Sequence, residues 1–74
     1  MDKESIKEII IEKISAELQV APSEIDEYTS FMRMGVSSAQ ALKITNYLRK
    51  TLSINVNPVV LFEFNTVDEI STHL

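Results

Sequence analysis

The sequence of 74 residues contains no cysteine and no tryptophan, and it has only one glycine and two prolines. The absence of cysteine excludes disulfide bonds, zinc–thiolate sites and cysteine nucleophiles. A chain of this length is expected to form one domain, spanning residues 1–74, with a small hydrophobic core. An apolar fraction of 45% is typical of a globular domain rather than a disordered segment.

Long hydrophobic segments are also missing. No apolar run approaches the roughly 20 residues that a transmembrane helix needs. The charged start, Met1-Asp2-Lys3-Glu4, lacks the apolar segment of a secretory signal. We therefore expect no membrane association and a cytoplasmic location.

The formal net charge of −4 argues against nucleic-acid binding, because phosphate contacts need a basic surface. The charge is unevenly distributed, since the segment between Tyr28 and Phe62 contains no acidic residue. The cations of this segment are Arg33, Lys43, Arg49 and Lys50. Two interpretations stay open: these are ordinary solvated side chains, or this segment meets a different partner surface from the rest of the chain.

Hydrophobic periodicity predicts an all-α fold, with apolar residues recurring at steps of three and four along the longer segments. The predicted helices span about residues 2–18, 38–52, 58–63 and 67–74. Such segments are expected to pack as a bundle of three main helices and one short helix. Proline after Asn57 predicts the start of the short helix, and the T-x-x-E pattern of Thr66 and Glu69 predicts a capping box for the last.

A long loop separates the first two predicted helices. Loops of this length are uncommon in small domains unless they are fixed by packing or serve a function. We expect the Phe31 side chain to enter the core and hold the loop. Phe62, in the predicted short helix, is also expected to be buried.

The motif Gly35-Val36-Ser37-Ser38 lies where this loop meets the second helix. Ser37 and Gln40 form an S-x-x-Q capping box, and glycine allows the backbone to turn before it. Ser38 falls in the first helical turn, where unsatisfied amides and the helix dipole favour an anion such as a phosphodiester. The alternative is that both serines only cap the helix.

Several features accompany this motif at fixed places along the chain. They are Phe31 in the loop, Asn46 on the second helix, the tripeptide Leu61-Phe62-Glu63, and Thr66 before the last helix. Together with Gly35-Val36-Ser37-Ser38, which stands where the family has a G-x-D-S motif, they resemble the acyl carrier domains of modular polyketide synthases. The resemblance extends from Ile25 to Leu74, and its specific residues lie between Phe31 and Thr66.

This resemblance implies a four-helix acyl-carrier-type bundle with Ser38 as the attachment site of 4′-phosphopantetheine, which a phosphopantetheinyl transferase takes from coenzyme A. Acyl groups would be held on the arm as thioesters. The expected partners are the ketosynthase, acyltransferase and tailoring enzymes of a synthase, and the isolated domain is expected to be monomeric. The domain itself would have no catalytic residue and no metal. Candidate docking residues are Arg33, Met34, Ala39, Lys43, Arg49 and Lys50.

The sequence departs from the family pattern in one position of the motif. Ser37 stands where the family usually has aspartate, which would preserve the helix cap but remove a charge that the transferase could recognise. Peptidyl carriers usually have a second glycine where this chain has Val36. A peptidyl carrier is therefore a weaker match, and it stays open as an alternative. The other alternative is a small helical interaction module without a prosthetic group. His73, the single histidine, has no clustered partner for metal or catalytic chemistry.

Overall fold

The computed structural model describes residues 2–74 as helices joined by loops, with no strand in that range. The all-α expectation is therefore confirmed. The elements are helix α1 (Lys3–Leu18), a 3₁₀ turn (Pro22–Glu24), and helices α2 (Ser38–Thr51), α3 (Val60–Glu63) and α4 (Val67–His73). None of the helices described within residues 2–74 combines the length and hydrophobicity needed to cross a bilayer.

Helix α1 begins and ends with well-formed caps. The Asp2 carboxylate accepts a 2.8 Å hydrogen bond from the Ser5 amide, and this bond holds the pKa of Asp2 below its usual value. At the other end Gln19 adopts a left-handed conformation with φ of 57°, which turns the chain out of the helix. Both ends of α1 are thus fixed by local hydrogen bonding.

The core forms where one face of each long helix meets the short elements. Every fourth residue of α1 points inward, and the α2 positions spaced by three and four do the same. The buried apolar residues are Ile6, Ile10, Ile14, Phe31, Val36, Ala41, Ile44, Leu48, Val60, Leu61, Val67 and Ile70. One contiguous cluster therefore supports all four helices.

Helices α1 and α2 run in opposite directions, which gives the molecule two distinct ends. The Gln40 side chain at the start of α2 donates to the carbonyl oxygen of Glu17 near the end of α1, at 3.2 Å. Ile6 from the start of α1, Thr51 from the end of α2 and Leu74 line one cleft at the opposite end. Ser38 and Leu74 consequently lie at opposite ends of the fold.

The predicted start of the short helix is wrong by two residues. Asn57 Oδ1 accepts from the Val59 amide at 3.0 Å, and the Asn57 carbonyl accepts from Val60 at 2.9 Å. These bonds close a turn at residues 57–59, and α3 begins at Val60. An asparagine side chain can satisfy such a turn as well as cap a helix, so the same pattern fits both.

The predicted capping box of α4 is only half formed. Thr66 Oγ1 accepts from the Glu69 amide at 3.0 Å, as expected. The Glu69 carboxylate instead accepts from the amide of Asn65, one residue before the cap, at 3.2 Å. Glu69 therefore stabilises the approach to the helix rather than its first residue.

Phe31 holds the long loop as predicted. Its ring is 1% exposed, and its amide donates to the Asn65 carbonyl at 2.8 Å. Its own carbonyl accepts from the Val36 amide at 3.0 Å. The side chain thus fixes the loop to the core, and the backbone fixes it to the α3–α4 connection.

The prediction that Phe62 is buried is wrong, since this side chain is 43% exposed. Helix α3 has four residues, and Val60 and Leu61 already occupy its inward side. Successive side chains of a helix point in directions about 100° apart. With Val60 and Leu61 directed inward, the next residue, Phe62, points towards solvent.

The two phenylalanines should respond differently to truncation. Phe31→Ala should lower the free energy of unfolding by about 3–5 kcal/mol, because it leaves a cavity in a small core. Phe62→Ala should cost about 1 kcal/mol or less, as for other surface positions. Urea unfolding followed by circular dichroism measures both. Equal losses would contradict this assignment of the two rings.

An ion pair joins α1 to the long loop. Lys7 Nζ lies 2.8 Å from Glu27 Oε1, and the Glu27 carbonyl accepts from the amide of Asp68 in α4 at 2.9 Å. The hydrogen bond between Lys7 and Glu27 raises the pKa of Lys7 above 10.5 and lowers that of Glu27 below 4.5. The pair therefore favours the folded state between these two pH values.

Removing this carboxylate should produce a pH-dependent loss of stability. Glu27→Gln should lower the thermal midpoint at neutral pH. The difference from the parent should disappear as the pH falls below 4.5 through the native pKa of Glu27, because the parent then loses the same charge. Glu63→Gln is the control, since Glu63 is exposed and forms no ion pair within residues 2–74. A constant difference at all pH values would contradict the prediction.

Candidate functional site

The loop before α2 turns sharply at Gly35. Its φ of 98° lies in a region that residues with a β carbon rarely adopt, and its amide donates to the Met32 carbonyl at 3.1 Å. A β carbon placed on Gly35 would meet no atom within 4 Å, so the backbone conformation rather than crowding requires glycine. The next residue, Val36, is 2% exposed and fixes the loop to the core.

Ser37 caps α2 in the reciprocal arrangement that the sequence predicts. Ser37 Oγ accepts from the Gln40 amide at 3.1 Å, and Gln40 Oε1 accepts from the Ser37 amide at 2.9 Å. The bond from Gln40 Nε2 to Glu17 adds a contact to the end of α1. The first turn of α2 is therefore held from two directions.

Ser38 is the first residue of α2, and it is exposed. Its hydroxyl makes no hydrogen bond to another side chain or carbonyl in the described part of the chain. The first-turn amides of Ser38 and Ala39 have no acceptor within the helix, and the helix dipole adds a partial positive charge there. An exposed hydroxyl at such a place is suited to carry a phosphodiester.

The serine-containing motif lies inside a segment that matches a known protein family. The sequence profile of the family described as "Phosphopantetheine attachment site" matches residues 8–74. The chain belongs to this family. Membership implies a covalently attached 4′-phosphopantetheine, which confirms the expected cofactor and the expected family. The accessible hydroxyl and anion-favouring helix start described above fit that group.

A curated relative of this carrier domain is a reducing polyketide synthase, rdc5, from Metacordyceps chlamydosporia. It is 36% identical over 52 residues, which are 70% of this chain. The matched part is 2% of the synthase, so the chain spans a very small part of that protein.

Two solved carrier structures have the same fold. A free-standing peptidyl carrier protein from a secondary metabolic pathway of Acinetobacter baumannii superposes with a TM-score of 0.92 at 25% identity, covering 97% of this chain and 90% of the other. The HMG-ACPI domain of the CurA module from Lyngbya majuscula gives a TM-score of 0.88 at 24% identity, covering 97% of this chain and 73% of the other. One is a peptidyl and one an acyl carrier, so these structures show the fold that both kinds share.

The candidate docking residues of this carrier domain do not form one patch. Lys43 and Arg49 are six positions apart on α2, which places them about 120° apart around the helix axis. Lys43 Nζ lies 3.9 Å from Glu17 Oε1 on the α1 side, whereas Arg49 is half-buried beside Ile54 and Asn55. Lys50 is exposed between these two regions and lines both.

The remaining candidate docking residues surround the motif. Arg33 and Ala39 are exposed, whereas Met34 is half-buried and packs against the core. Leu42 was not among the predicted docking residues, although it is 43% exposed and lies four residues after Ser38 on the same side of α2. The spacing of four from the serine is the signal that could have found it.

His73 has a packing role in the structure. Its ring stacks on that of Phe64 with centroids 4.1 Å apart and an angle of 15° between the planes. Within residues 2–74, no three histidine, aspartate or glutamate side chains are grouped closely enough to hold a metal ion.

Proposed function

We propose that this domain carries the acyl groups of a polyketide synthase on a 4′-phosphopantetheine arm attached to Ser38. The observation that supports this choice is the exposed Ser38 hydroxyl at the start of α2, directly after a cap that fixes the helix start. Ser37 has a different role, because its Oγ already accepts from Gln40 and is held in the cap.

The attachment reaction uses the Ser38 hydroxyl as the nucleophile. Its Oγ forms a bond to the phosphorus on the pantetheine side of the diphosphate of coenzyme A, and the bond from this phosphorus to the bridging oxygen breaks. Adenosine 3′,5′-bisphosphate leaves, and a base on the transferase accepts the hydroxyl proton. We assign this base to the transferase, because no titratable side chain of residues 2–74 forms a hydrogen bond with Ser38. The bound arm then supplies a thiol that holds acyl groups as thioesters at high effective concentration for successive enzymes.

Two observations favour polyketide over peptide intermediates. The curated relative is a reducing polyketide synthase at 36% identity. Val36 also occupies a buried position where peptidyl carriers usually have glycine. The superposition on a peptidyl carrier makes peptide intermediates the second candidate.

The attachment residue can be tested by intact mass after incubation with coenzyme A and a broad-specificity phosphopantetheinyl transferase. Ser38→Ala should gain no phosphopantetheine while keeping the helical circular dichroism, because alanine is a good helix former. Ser37→Ala is the matched control. It should still be loaded while losing about 1 kcal/mol of stability with its cap.

Three results would count against the proposal. Loading of Ser38→Ala but not of Ser37→Ala would place the attachment site one residue earlier. Absence of loading in the parent domain would favour the interaction module. Aminoacylation of the loaded domain by an adenylation domain, without acylation by a polyketide acyltransferase and malonyl coenzyme A, would favour the peptidyl carrier.

The basic side of α2 should contribute to association with acidic partner surfaces. Lys43 and Lys50 are exposed on this side, and specificity often depends on charge complementarity and repulsion. The double variant Lys43→Glu and Lys50→Glu should slow acyl transfer from a cognate ketosynthase at low salt. The defect should shrink at high salt, where charges are screened. An unchanged rate at low salt would show that these residues are only solvated.

A further inference from the structure

A groove runs between the end of α3 and the outer face of α4, on a part of the surface that the proposed function does not use. We call it the Phe64 groove, and its volume is about 430 Å³. Its lining residues are Glu63, Phe64, Asp68, Glu69, Thr72 and His73. The surface of this lining is mostly apolar, although three of the six residues are acidic. An apolar surface bordered by carboxylates restricts what can bind there.

Two aromatic rings form part of the groove wall. The rings of Phe64 and His73 stack, with centroids 4.1 Å apart and an angle of 15° between their planes. Phe64 is half-buried and packs against the core cluster, whereas His73 is exposed. The core therefore holds a flat aromatic surface in place at the edge of solvent, and such a surface attracts a cation or a planar group placed over it.

The charged residues of the groove leave it with an excess of negative charge. Asp68 Oδ1 lies 3.1 Å from Lys3 Nζ, outside the lining. Glu63 and Glu69 are exposed, and neither forms an ion pair within residues 2–74. The Glu69 carboxylate is held by the Asn65 amide, from which it accepts at 3.2 Å. Two carboxylates beside the aromatic stack are thus available to a cation from outside.

A guanidinium group matches both properties of the groove. It is planar and weakly hydrated, it stacks on aromatic rings, and the N–H groups at its edge pair with carboxylates. A lysine ammonium is more strongly hydrated and has no planar face. A metal ion fits less well, because within residues 2–74 no three histidine, aspartate or glutamate side chains are grouped closely enough to hold one.

The groove lies towards the end of the fold away from Ser38. Lys3, which pairs with Asp68, is the first residue of α1, and His73 is the last residue of α4. Ser38 lies instead at the end where α1 finishes and α2 begins. A segment bound in the Phe64 groove would therefore leave the Ser38 hydroxyl accessible.

We propose that the Phe64 groove binds an arginine side chain from a basic segment of a partner protein. The guanidinium lies against the stack of Phe64 and His73, and its N–H groups face Glu63 and Glu69. This contact holds the partner to the domain while Ser38 stays free for other enzymes. It does not depend on modification of Ser38, so the unmodified domain is sufficient to test it.

The test titrates the unmodified domain with an acetylated, amidated pentapeptide that has arginine at its second and fourth positions and alanine elsewhere. In two-dimensional nitrogen-15 NMR, the amide signals of residues 63–64 and 68–73 should shift and reach saturation. The same peptide with lysine in place of arginine should bind about fivefold more weakly, because an ammonium group does not stack as a plane.

Three variants separate the charge from the aromatic surface. Glu63→Gln should weaken binding of the arginine peptide about threefold, the effect of one exposed ion pair. Glu8→Gln is the matched control and should have no effect, because Glu8 is likewise exposed and without an ion pair within residues 2–74 but lies on α1. His73→Leu should weaken binding about fivefold by removing one ring. If it does not fold, the two glutamate variants still decide the test.

Several results would overturn the proposal. Equal affinity for the arginine and lysine peptides would do so, as would equal weakening by Glu63→Gln and Glu8→Gln, since both indicate attraction to the overall negative charge. Shifts centred on α1, or no shifts at all, would also contradict it. Shifts of residues 63–73 on concentrating the domain alone would assign the groove to a second copy, through the exposed Arg33. Failed phosphopantetheine loading would count against the attachment site and not against the groove.

Discussion

The position of Phe31 determines how the attachment motif is presented. Its ring is the largest fully buried side chain, and its backbone bonds join Asn65 on one side to Val36 on the other. Because Val36 is buried directly after the single glycine, the turn at Gly35 has little freedom to move. The serines that follow therefore start α2 from a fixed position, although they come after a long irregular loop.

Ordinary periodicity and local hydrogen bonding were sufficient to predict much of this fold. The repeated steps of three and four in α1 and α2 correspond to faces that are buried in the structure, and the Ser37–Gln40 capping box forms as written in the sequence. These features depend on residues within one or two turns of each other. Because these contacts are between near neighbours in the sequence, local sequence patterns are sufficient to predict them.

The predictions are wrong where one sequence pattern fits two local structures, or where tertiary packing determines which side chains are buried. Asn57 could cap a helix or close a turn, and the chain uses the turn. An apolar run in a short helix cannot place every side chain inward, and burial of Val60 and Leu61 leaves Phe62 in solvent. The orientation of α3 against α2 decides which two of these three adjacent apolar residues face the core, and no spacing within the run specifies that orientation.

In the candidate site, too, some features could be predicted from local sequence and others depend on the folded chain. The motif predicts the cap that the structure shows, and the family pattern predicts Ser38 as the attachment residue. The separation of Lys43 from Arg49 follows from helix geometry and could have been predicted from their spacing of six. The groove lined by Leu18, Val20 and Met34 could not have been predicted, because its walls come from the end of α1 and from the loop before α2, which only the folded chain brings together.

The antiparallel course of α1 and α2 has a practical consequence for handling the domain. Asp2, which caps the start of α1, and Leu74 lie at the end of the fold away from Ser38. If a tag or a solid support is joined next to Asp2 or Leu74, Ser38 therefore points away from it. The domain is 27 Å in its longest dimension, so an immobilised copy would hold Ser38 outward, where enzymes in solution can reach it from many directions.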